Sequence, residues 1–140
     1  MEESKRLVHS FFEEYFIRKN MAVADKVLAD NYVLHDPYVP SASVGKEGFK
    51  KLQSTYFDAF PDHRLTVDEE FGEGDKVVTR WTTRGTHKKD LPGIPATGKA
   101  ITVTGITISR VSDGKIAEEW QVWDKLGLLE QLGVIKAPKA

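Results

Sequence analysis

The start of the chain carries hydrophobic residues at the spacing of amphipathic helices. Between about Ser4 and Lys19, large apolar residues recur every three or four positions, with charged residues between them. The same spacing predicts a shorter second helix from Val23 to Ala29, which Asp30-Asn31 ends. A third helix is predicted from Lys46 to Ala59, and Pro61-Asp62 stops it. The chain therefore begins with three predicted helices, each with one apolar face to bury.

After the third helix, the hydrophobic period changes from helical to alternating. The stretches from Arg64 to Phe71 and from Lys76 to Arg84 are rich in Val, Thr and aromatic residues, which predicts a first hairpin. Ile101 to Val111 and Ile116 to Trp123 predict a second hairpin. A closing helix is predicted from Lys125 to Leu132. The second half of the chain is therefore predicted to form a sheet.

This order of elements predicts the fold class. Helices followed by consecutive hairpins indicate an α+β fold with an antiparallel sheet rather than a βαβ repeat. Three helices cannot cover both faces of such a sheet, so we expect the open face to form a homodimer. Residues 1–140 are expected to form one domain, because the length suits one and no linker or repeat interrupts the sequence.

Composition narrows the class of protein. Apolar residues at 40% and charged residues at 29% are typical of folded globular proteins. Lys+Arg 20 against Asp+Glu 21 leaves no basic stripe, so no nucleic-acid partner is expected. The lack of cysteine excludes disulfides, thiolate nucleophiles and zinc–thiolate sites. We find neither a signal-peptide pattern nor a membrane-spanning stretch, so we expect a cytoplasmic protein that does not bind membranes.

Several segments resemble one known family. The pair Arg84-Gly85-Thr86-His87 and Gly93-Ile94-Pro95-Ala96-Thr97-Gly98-Lys99 is similar to the "RGTH…GIPPTGK" stretch of the SnoaL-like polyketide cyclases. The run from Asp113-Gly114-Lys115-Ile116 through Trp120 and Trp123-Asp124 to Gly133 resembles that family's C-terminal signature, and Phe60-Pro61-Asp62 and His35-Asp36-Pro37 resemble further family positions. The resemblance implies an NTF2-like (cystatin-like) cone and usually a homodimer. It also implies a small apolar or polyketide-like ligand and an aldol ring closure that uses no cofactor and no metal.

The chain departs from this family at two positions. In the characterised cyclases that the resemblance points to, an Asp on the last strand and a His on the preceding strand perform the acid–base chemistry. Their columns here hold Gln121 and Thr107, and neither side chain titrates near neutral pH. We therefore expect Gln121 and Thr107 to hydrogen-bond a substrate carbonyl without transferring protons.

Three other residues are candidates for the catalytic role. Glu119 shares a strand face with Gln121, about 7 Å along the strand, and an apolar pocket would raise its pKa toward that of a general base. The alternative is an exposed or salt-bridged strand carboxylate. His35 opens the loop after the second helix and could reach the cavity as a donor or base. Asp124 precedes the last helix and is either a catalytic candidate or simply its N-cap.

Four further residues are candidates for substrate binding. Tyr15 and Trp81 carry polar groups that need a partner when buried, and Trp123 lies on the face of Gln121. His87 ends a strand in the strongest family motif, where it contacts substrate or pins the following loop. The four histidines are dispersed and lack metal-ligand spacing, so no metal site is expected.

These residues fit three functions. The first is a cofactor-independent acid–base enzyme of the cyclase or isomerase type, acting on a carbonyl-bearing apolar substrate. The second is a ligand-binding or dimerisation module that has lost the cyclase acid–base pair at Gln121 and Thr107. The third is an epoxide hydrolase or isomerase relative, for which Arg80 or Arg84 would join carboxylates in the cavity.

Overall fold

A computed structural model describes residues 2–136 and shows four α-helices and six strands. The α-helices are α1 (Glu2–Phe11), α2 (Val23–Val27), α3 (Lys46–Ala59) and α4 (Lys125–Gln131). The strands are β1 (Leu28–His35), β2 (Ser43–Gly45), β3 (Arg64–Glu73), β4 (Lys76–Thr86), β5 (Ala100–Ser112) and β6 (Lys115–Trp123). A π-helix, Phe12–Ile17, continues α1, and a 3₁₀ turn, Pro40–Ala42, precedes β2. No helix among residues 2–136 is long and apolar enough to cross a membrane.

The first predicted helix is two helices of different pitch. The α-helix stops at Phe11, and the chain continues to Ile17 with the wider turn of a π-helix. The rings of Phe11, Phe12, Tyr15 and Phe16 form one cluster there, in which Phe11 and Phe16 each contact the other three. A wider turn gives crowded rings more room, and such turns often occur at functional sites. Here it places Phe12 and Phe16 against the cavity described below.

Strand β1 was not predicted, and the second helix is shorter than its pattern suggested. That helix ends at Val27, and Asp30-Asn31, expected to terminate it, lies within β1. Only Tyr32 and Leu34 in this part of the strand point inward, so the alternating pattern is too short to recognise. Pairing with β6, which is distant in the sequence, stabilises the extended conformation.

The sheet has the order β2-β1-β6-β5-β4-β3. Strands β3 to β6 form the predicted consecutive antiparallel hairpins. Because β1 lies parallel to β6, the complete sheet is mixed rather than purely antiparallel. The inner face packs against the helices in two apolar clusters, one around Phe11, Tyr15 and Phe49 and the other around Phe60 and Leu128. This arrangement is the predicted α+β cone.

The outer face of the sheet carries an apolar row across four strands, β3 to β6. The residues of the row are register partners in the order Phe71, Val78, Ile108 and Trp120, and His35 of β1 follows Trp120. In the next row, Ile106 and Val122 face each other and are 46% and 66% exposed. Single exposed apolar residues are ordinary, but a continuous row is typical of an interaction surface.

Candidate functional site

A partly open cavity of about 120 Å³ lies between the helices and the inner face of the sheet. Its wall is mostly apolar and is shared by the two core clusters. The polar side chains in the wall include those of Asp36, Gln53, Tyr56, His63 and Gln121. An apolar cavity with a few polar groups is the usual form of a small-molecule site.

Asp36 places a buried carboxylate on this wall. The residue directly follows β1 and is 2% exposed. Its Oδ2 accepts hydrogen bonds from Gln121 Nε2 at 3.0 Å and from Trp123 Nε1 at 3.2 Å. Its Oδ1 accepts from the Tyr38 backbone N–H at 2.8 Å. All three partners are N–H groups, which can only donate, so they match the ionised form of the carboxyl group.

A chain of hydrogen bonds holds Gln121 next to the Asp36 carboxylate. Trp81 Nε1 donates to Thr107 Oγ1 at 3.0 Å, and the Thr107 hydroxyl donates to Gln121 Oε1 at 3.3 Å. With its oxygen bound to Thr107, the Gln121 amide presents its N–H to Asp36. Gln121 and Thr107 are register partners on β6 and β5, and they hydrogen-bond to each other, while Gln121 also bonds to Asp36. A bond from either to a substrate carbonyl stays a prediction.

Tyr56 supplies a hydroxyl near this carboxylate. Its ring lines the cavity and meets Trp123 edge-on, with centroids 5.7 Å apart. Burial raises the pKa of Tyr56, and the negative charge of Asp36 raises it further. The group is therefore a phenol at neutral pH and can donate a hydrogen bond into the cavity.

Glu119 shares the strand face of Gln121, as predicted, but it lies in the core rather than in the cavity wall. Its Oε1 accepts a hydrogen bond from the Tyr32 hydroxyl at 2.7 Å, and its Oε2 accepts one from Ser109 at 2.5 Å. Burial raises the pKa of Glu119, and these two hydrogen bonds act in the opposite direction. The carboxyl group is buried, unlike the exposed or salt-bridged alternative. A role as the base stays a prediction.

The other two catalytic candidates also lie outside the cavity wall. Side chains alternate along β1, so His35 points to the outer face, where it stacks on Trp120 and lies 2.6 Å from Glu118 Oε2. Asp124 caps α4, because its Oδ1 accepts a hydrogen bond from the Gly127 N–H at 2.9 Å. The capping role is therefore present, whereas contact of either residue with a substrate stays a prediction.

The binding candidates divide between the wall and the core. Trp81 and Trp123 line the cavity. Tyr15 packs among Phe11, Phe49 and Phe57 and is not part of the wall. His87 is fully buried against Phe60, and its Nδ1 is within hydrogen-bonding distance of the Thr97 hydroxyl and N–H, at 3.0 and 3.2 Å. These contacts with Thr97 hold the loop that follows β4, the second of the two roles predicted for His87, whereas contact of His87 with a substrate stays a prediction.

The sequence did not identify several polar residues of the wall as site residues, among them Asp36, Tyr56 and His63. Asp36 is the centre of the His35-Asp36-Pro37 motif, and His63 follows Phe60-Pro61-Asp62. Tyr56 lies in the apolar pattern of α3, which carries no chemical signal. The sequence contained the motifs, but it did not show which side chain of each would face inward.

The arginines considered for an epoxide hydrolase arrangement separate in the structure. Arg80 pairs with Glu69, at 3.3 Å, rather than with a carboxylate in the wall. Arg84 is a wall residue. Among residues 2–136, no three His, Asp or Glu side chains come together as a metal site would require.

Comparison with known proteins gives the same family over most of the length. The sequence profile of the SnoaL-like polyketide cyclases matches residues 6–132. Aklanonic acid methyl ester cyclase DnrD of Streptomyces peucetius is 30% identical over 132 residues, covering 91% of this chain and 88% of that protein. TsrD of Streptomyces laurentii superposes with a TM-score of 0.82 at 30% identity, covering 96% of this chain and 97% of that one. AclR of Streptomyces galilaeus superposes with a TM-score of 0.87 at 28% identity, covering 99% and 91% of the two chains.

Proposed function

Because the chain belongs to the SnoaL-like polyketide cyclase family, we propose that it is a cofactor-independent enzyme that closes or isomerises a carbonyl-bearing, mostly apolar substrate by proton transfer. The observation that carries this proposal is the buried Asp36 carboxylate on the wall of an apolar cavity. The similarity to aklanonic acid methyl ester cyclase supports a ring closure as the reaction. In this proposal Asp36 takes the role for which Glu119, His35 and Asp124 were candidates.

The proposed reaction is an aldol ring closure within one substrate molecule. Asp36 removes a proton from a carbon next to a carbonyl group, and the electron pair forms an enolate. The enolate carbon then bonds to a second carbonyl carbon, whose oxygen becomes an alkoxide. That alkoxide takes a proton from protonated Asp36 or from Tyr56, which afterwards recovers one from Asp36. Atoms and charge balance without another reactant, and the Tyr56 hydroxyl can stabilise the oxyanion as it forms.

Gln121 and Thr107 have a positioning role in this scheme. They hold Asp36 through the chain of hydrogen bonds that begins at Trp81. A base must lie within hydrogen-bonding reach of the proton it removes, so a fixed carboxylate is more effective than a mobile one. In this proposal, Gln121 and Thr107 stand where the family pattern has its acid–base pair, and the carboxylate that acts as the base, Asp36, lies instead at the end of β1.

Deuterium exchange at carbon tests the first step without knowledge of the natural substrate. The probe is 1-tetralone, a bicyclic ketone with exchangeable protons beside its carbonyl, followed by NMR in D₂O. We expect the parent protein to accelerate exchange and Asp36→Asn to lose about 10²- to 10⁴-fold of that acceleration. Circular dichroism and thermal melting establish that the variant is folded.

Two further measurements separate this assignment from the alternatives. Glu119→Gln should retain exchange; if it abolishes exchange while Asp36→Asn does not, Glu119 is the base and the proposal is wrong. A parent protein that binds 1-tetralone without accelerating exchange would favour the ligand-binding module.

Tyr56→Phe should slow exchange less than Asp36→Asn, since it removes a stabilising donor and not the base.

We further propose that two copies associate through the outer face of the sheet. The apolar row from Phe71 to Trp120 and the exposed pair Ile106 and Val122 support this assembly. Charged groups flank the row, where Arg110 pairs with Glu118 at 3.1 Å. Apolar centres with polar margins are common in homodimer interfaces. The cytoplasmic location expected from the sequence likewise stays a prediction.

A further inference from the structure

Gln53 interrupts the apolar stripe that α3 presents to the interior. The buried residues of this helix include Phe49, Gln53 and Phe57, which are spaced four residues apart and therefore share one face. Gln53 is 9% exposed and lines the cavity. The inward stripe of an amphipathic helix normally carries apolar side chains. Gln53 instead brings a primary amide to the inward face of α3.

The Gln53 amide has no hydrogen-bond partner among residues 2–136. It is also not one of the fully enclosed unpaired groups of this part of the chain, which belong to two histidines. The amide therefore keeps some accessible surface, and because Gln53 lies on the inward face of α3, that surface is toward the cavity. A buried polar group without a partner is unfavourable, so a native one calls for an explanation.

Gln53 and the proposed base lie on different sides of the cavity. Asp36 is held by Gln121 and Trp123 of β6, whereas Gln53 belongs to α3. Because the cavity lies between the helices and the sheet, a bound substrate has the carboxylate on its sheet side and the amide on its helix side. Tyr56 follows Gln53 by three residues on α3, and its ring meets that of Trp123 edge-on. The wall formed by α3 thus carries two donors that face the base.

The enolate of the proposed reaction needs a hydrogen-bond donor of its own. When Asp36 removes the proton, negative charge develops on the oxygen of the neighbouring carbonyl group. A carboxylate is a much weaker base than an enolate, so this step is fast only if that oxygen is stabilised as its charge forms. In the proposed reaction Tyr56 serves the other oxygen, the alkoxide of the second carbonyl group.

We infer that Gln53 is a further catalytic residue, whose amide N–H donates a hydrogen bond to the enolate oxygen while Asp36 takes the proton. The amide transfers no proton and stays neutral, and its hydrogen bond strengthens as charge develops on the oxygen. This inference rests on the proposed function, because it assigns another residue to the same reaction. It also accounts for the polar residue in the stripe: the partner of the amide is the reacting oxygen of the substrate.

Gln53→Met tests the inference, because Met has a similar size and no N–H group. Deuterium exchange into 1-tetralone is measured by NMR in D₂O over a range of ketone concentrations, and NMR titration gives the dissociation constant. We expect the exchange rate at saturation to fall about 10²-fold, as when one oxyanion donor is removed. The dissociation constant should rise about tenfold at most, since the neutral ketone accepts a weaker hydrogen bond than the enolate.

A measurement of stability separates this role from a structural one. Gln53→Met removes an unpaired amide, so we expect it to unfold at a higher urea concentration than the parent. Gln131→Met is the matched control, because the Gln131 amide is paired with the N–H and carbonyl groups of Thr102, at 2.7 and 2.8 Å. The same replacement there should lower the urea midpoint and leave exchange unchanged.

Three results would overturn the inference. They are unchanged exchange in folded Gln53→Met, a loss of binding as large as the loss of rate, and a lower urea midpoint than that of the parent. If Gln53→Met does not fold, NMR of the parent decides: the side-chain amide resonance of Gln53 should shift with 1-tetralone and not with tetralin, which lacks the carbonyl oxygen. An equal response to both compounds also overturns the inference.

The outcomes distinguish this inference from the proposed function. Loss of exchange in Asp36→Asn together with unchanged exchange in Gln53→Met would overturn the inference only. Unchanged exchange in Asp36→Asn together with a slower rate in Gln53→Met would overturn the assignment of Asp36 as the base and support Gln53 as the donor.

Discussion

At the scale of single residues, two buried carboxyl groups differ in the kind of donor that surrounds them. Glu119 is bound by two hydroxyl groups, from Tyr32 and Ser109, and a hydroxyl can also accept. Its site can therefore satisfy a protonated carboxyl group. Asp36 is bound by three N–H groups, which satisfy only the carboxylate. In the proposed mechanism Asp36 is the deprotonated group that accepts the substrate proton, because it lies on the cavity wall and Glu119 does not.

Replacing Glu119 by Gln should change how stability depends on pH. Burial raises the pKa of folded Glu119 above its ordinary value of 4.5. Between 4.5 and that raised pKa, the folded state binds more protons than the unfolded state, so stability falls as pH rises. Gln does not titrate, and its amide can serve both hydroxyl partners, so Glu119→Gln should be at least as stable as the parent at neutral pH. Urea unfolding from pH 4 to 8 should show the difference growing with pH.

If the unfolding free energies of the parent and of Glu119→Gln changed with pH in the same way, the argument that burial raises the pKa of Glu119 would be contradicted. Glu119→Ala provides the comparison, because it leaves both hydroxyl groups without this partner and creates a cavity. We expect that variant to lose about 2 kcal/mol or more of unfolding free energy at every pH.

At the scale of elements, the contact between β4 and β5 orients the site. Trp81 and Gly105 are register partners, and the indole lies over the glycine: a Cβ at position 105 would be 2.3 Å from the ring. The missing side chain leaves room for the Trp81 indole, which donates to Thr107, and Thr107 in turn orients Gln121 and Asp36. A glycine in the middle of a long strand is otherwise unfavourable, and here it makes room for a close approach.

Gly105→Ala should therefore disturb the Asp36 carboxylate indirectly, through Trp81 and Thr107. The displaced indole would lose its bond to Thr107, lowering the unfolding free energy by about 1–3 kcal/mol and slowing 1-tetralone exchange. Gly45→Ala is the matched control, because a Cβ there meets only the Tyr32 carbonyl oxygen at 3.6 Å, an ordinary contact. Equal effects of the two substitutions on exchange would show that the indole does not transmit the change.

Among the helices and strands, the sequence predicted those whose hydrophobic pattern is formed by residues close together in the chain. Residues 46–59 carry a helical pattern, and the four hairpin strands carry alternating patterns with turn residues between them. Strand β1 was missed because pairing with β6 holds it extended. The position of Asp36 depends on that strand, so the error about β1 also concealed the candidate base.

At the scale of the whole molecule, the sheet has a covered face and an open one. The inner face is buried by the helices and encloses the cavity, whereas the outer face presents the apolar row. The proposed dimer covers that row and leaves the cavity on the opposite side of each sheet. Association and ligand binding should therefore be separable by mutation.

Val122→Glu should dissociate the dimer, because it places an unpaired charge in the apolar interface. We expect the parent to sediment at twice the 15.7 kDa mass of one chain, and the variant to sediment as a monomer. Met21→Glu introduces the same charge at a residue that is 40% exposed in the turn before α2, and it should leave the dimer intact. A monomeric parent, or a Val122→Glu variant that stays dimeric, would contradict the proposed interface.

The sequence by itself determined the family and the α+β class, and it predicted that Gln121 and Thr107 occupy the positions of the family's acid–base pair. These features reside in motifs and periodic patterns, which are properties of neighbours along the chain. Only the tertiary structure decided which polar groups meet in the cavity. His35 and Asp36 are adjacent in sequence, yet β1 turns the first outward to Trp120 and leaves the second against Gln121 and Trp123. Side-chain direction reverses at each residue of a strand, so the chemistry depended on a pairing with β6 that no local pattern records.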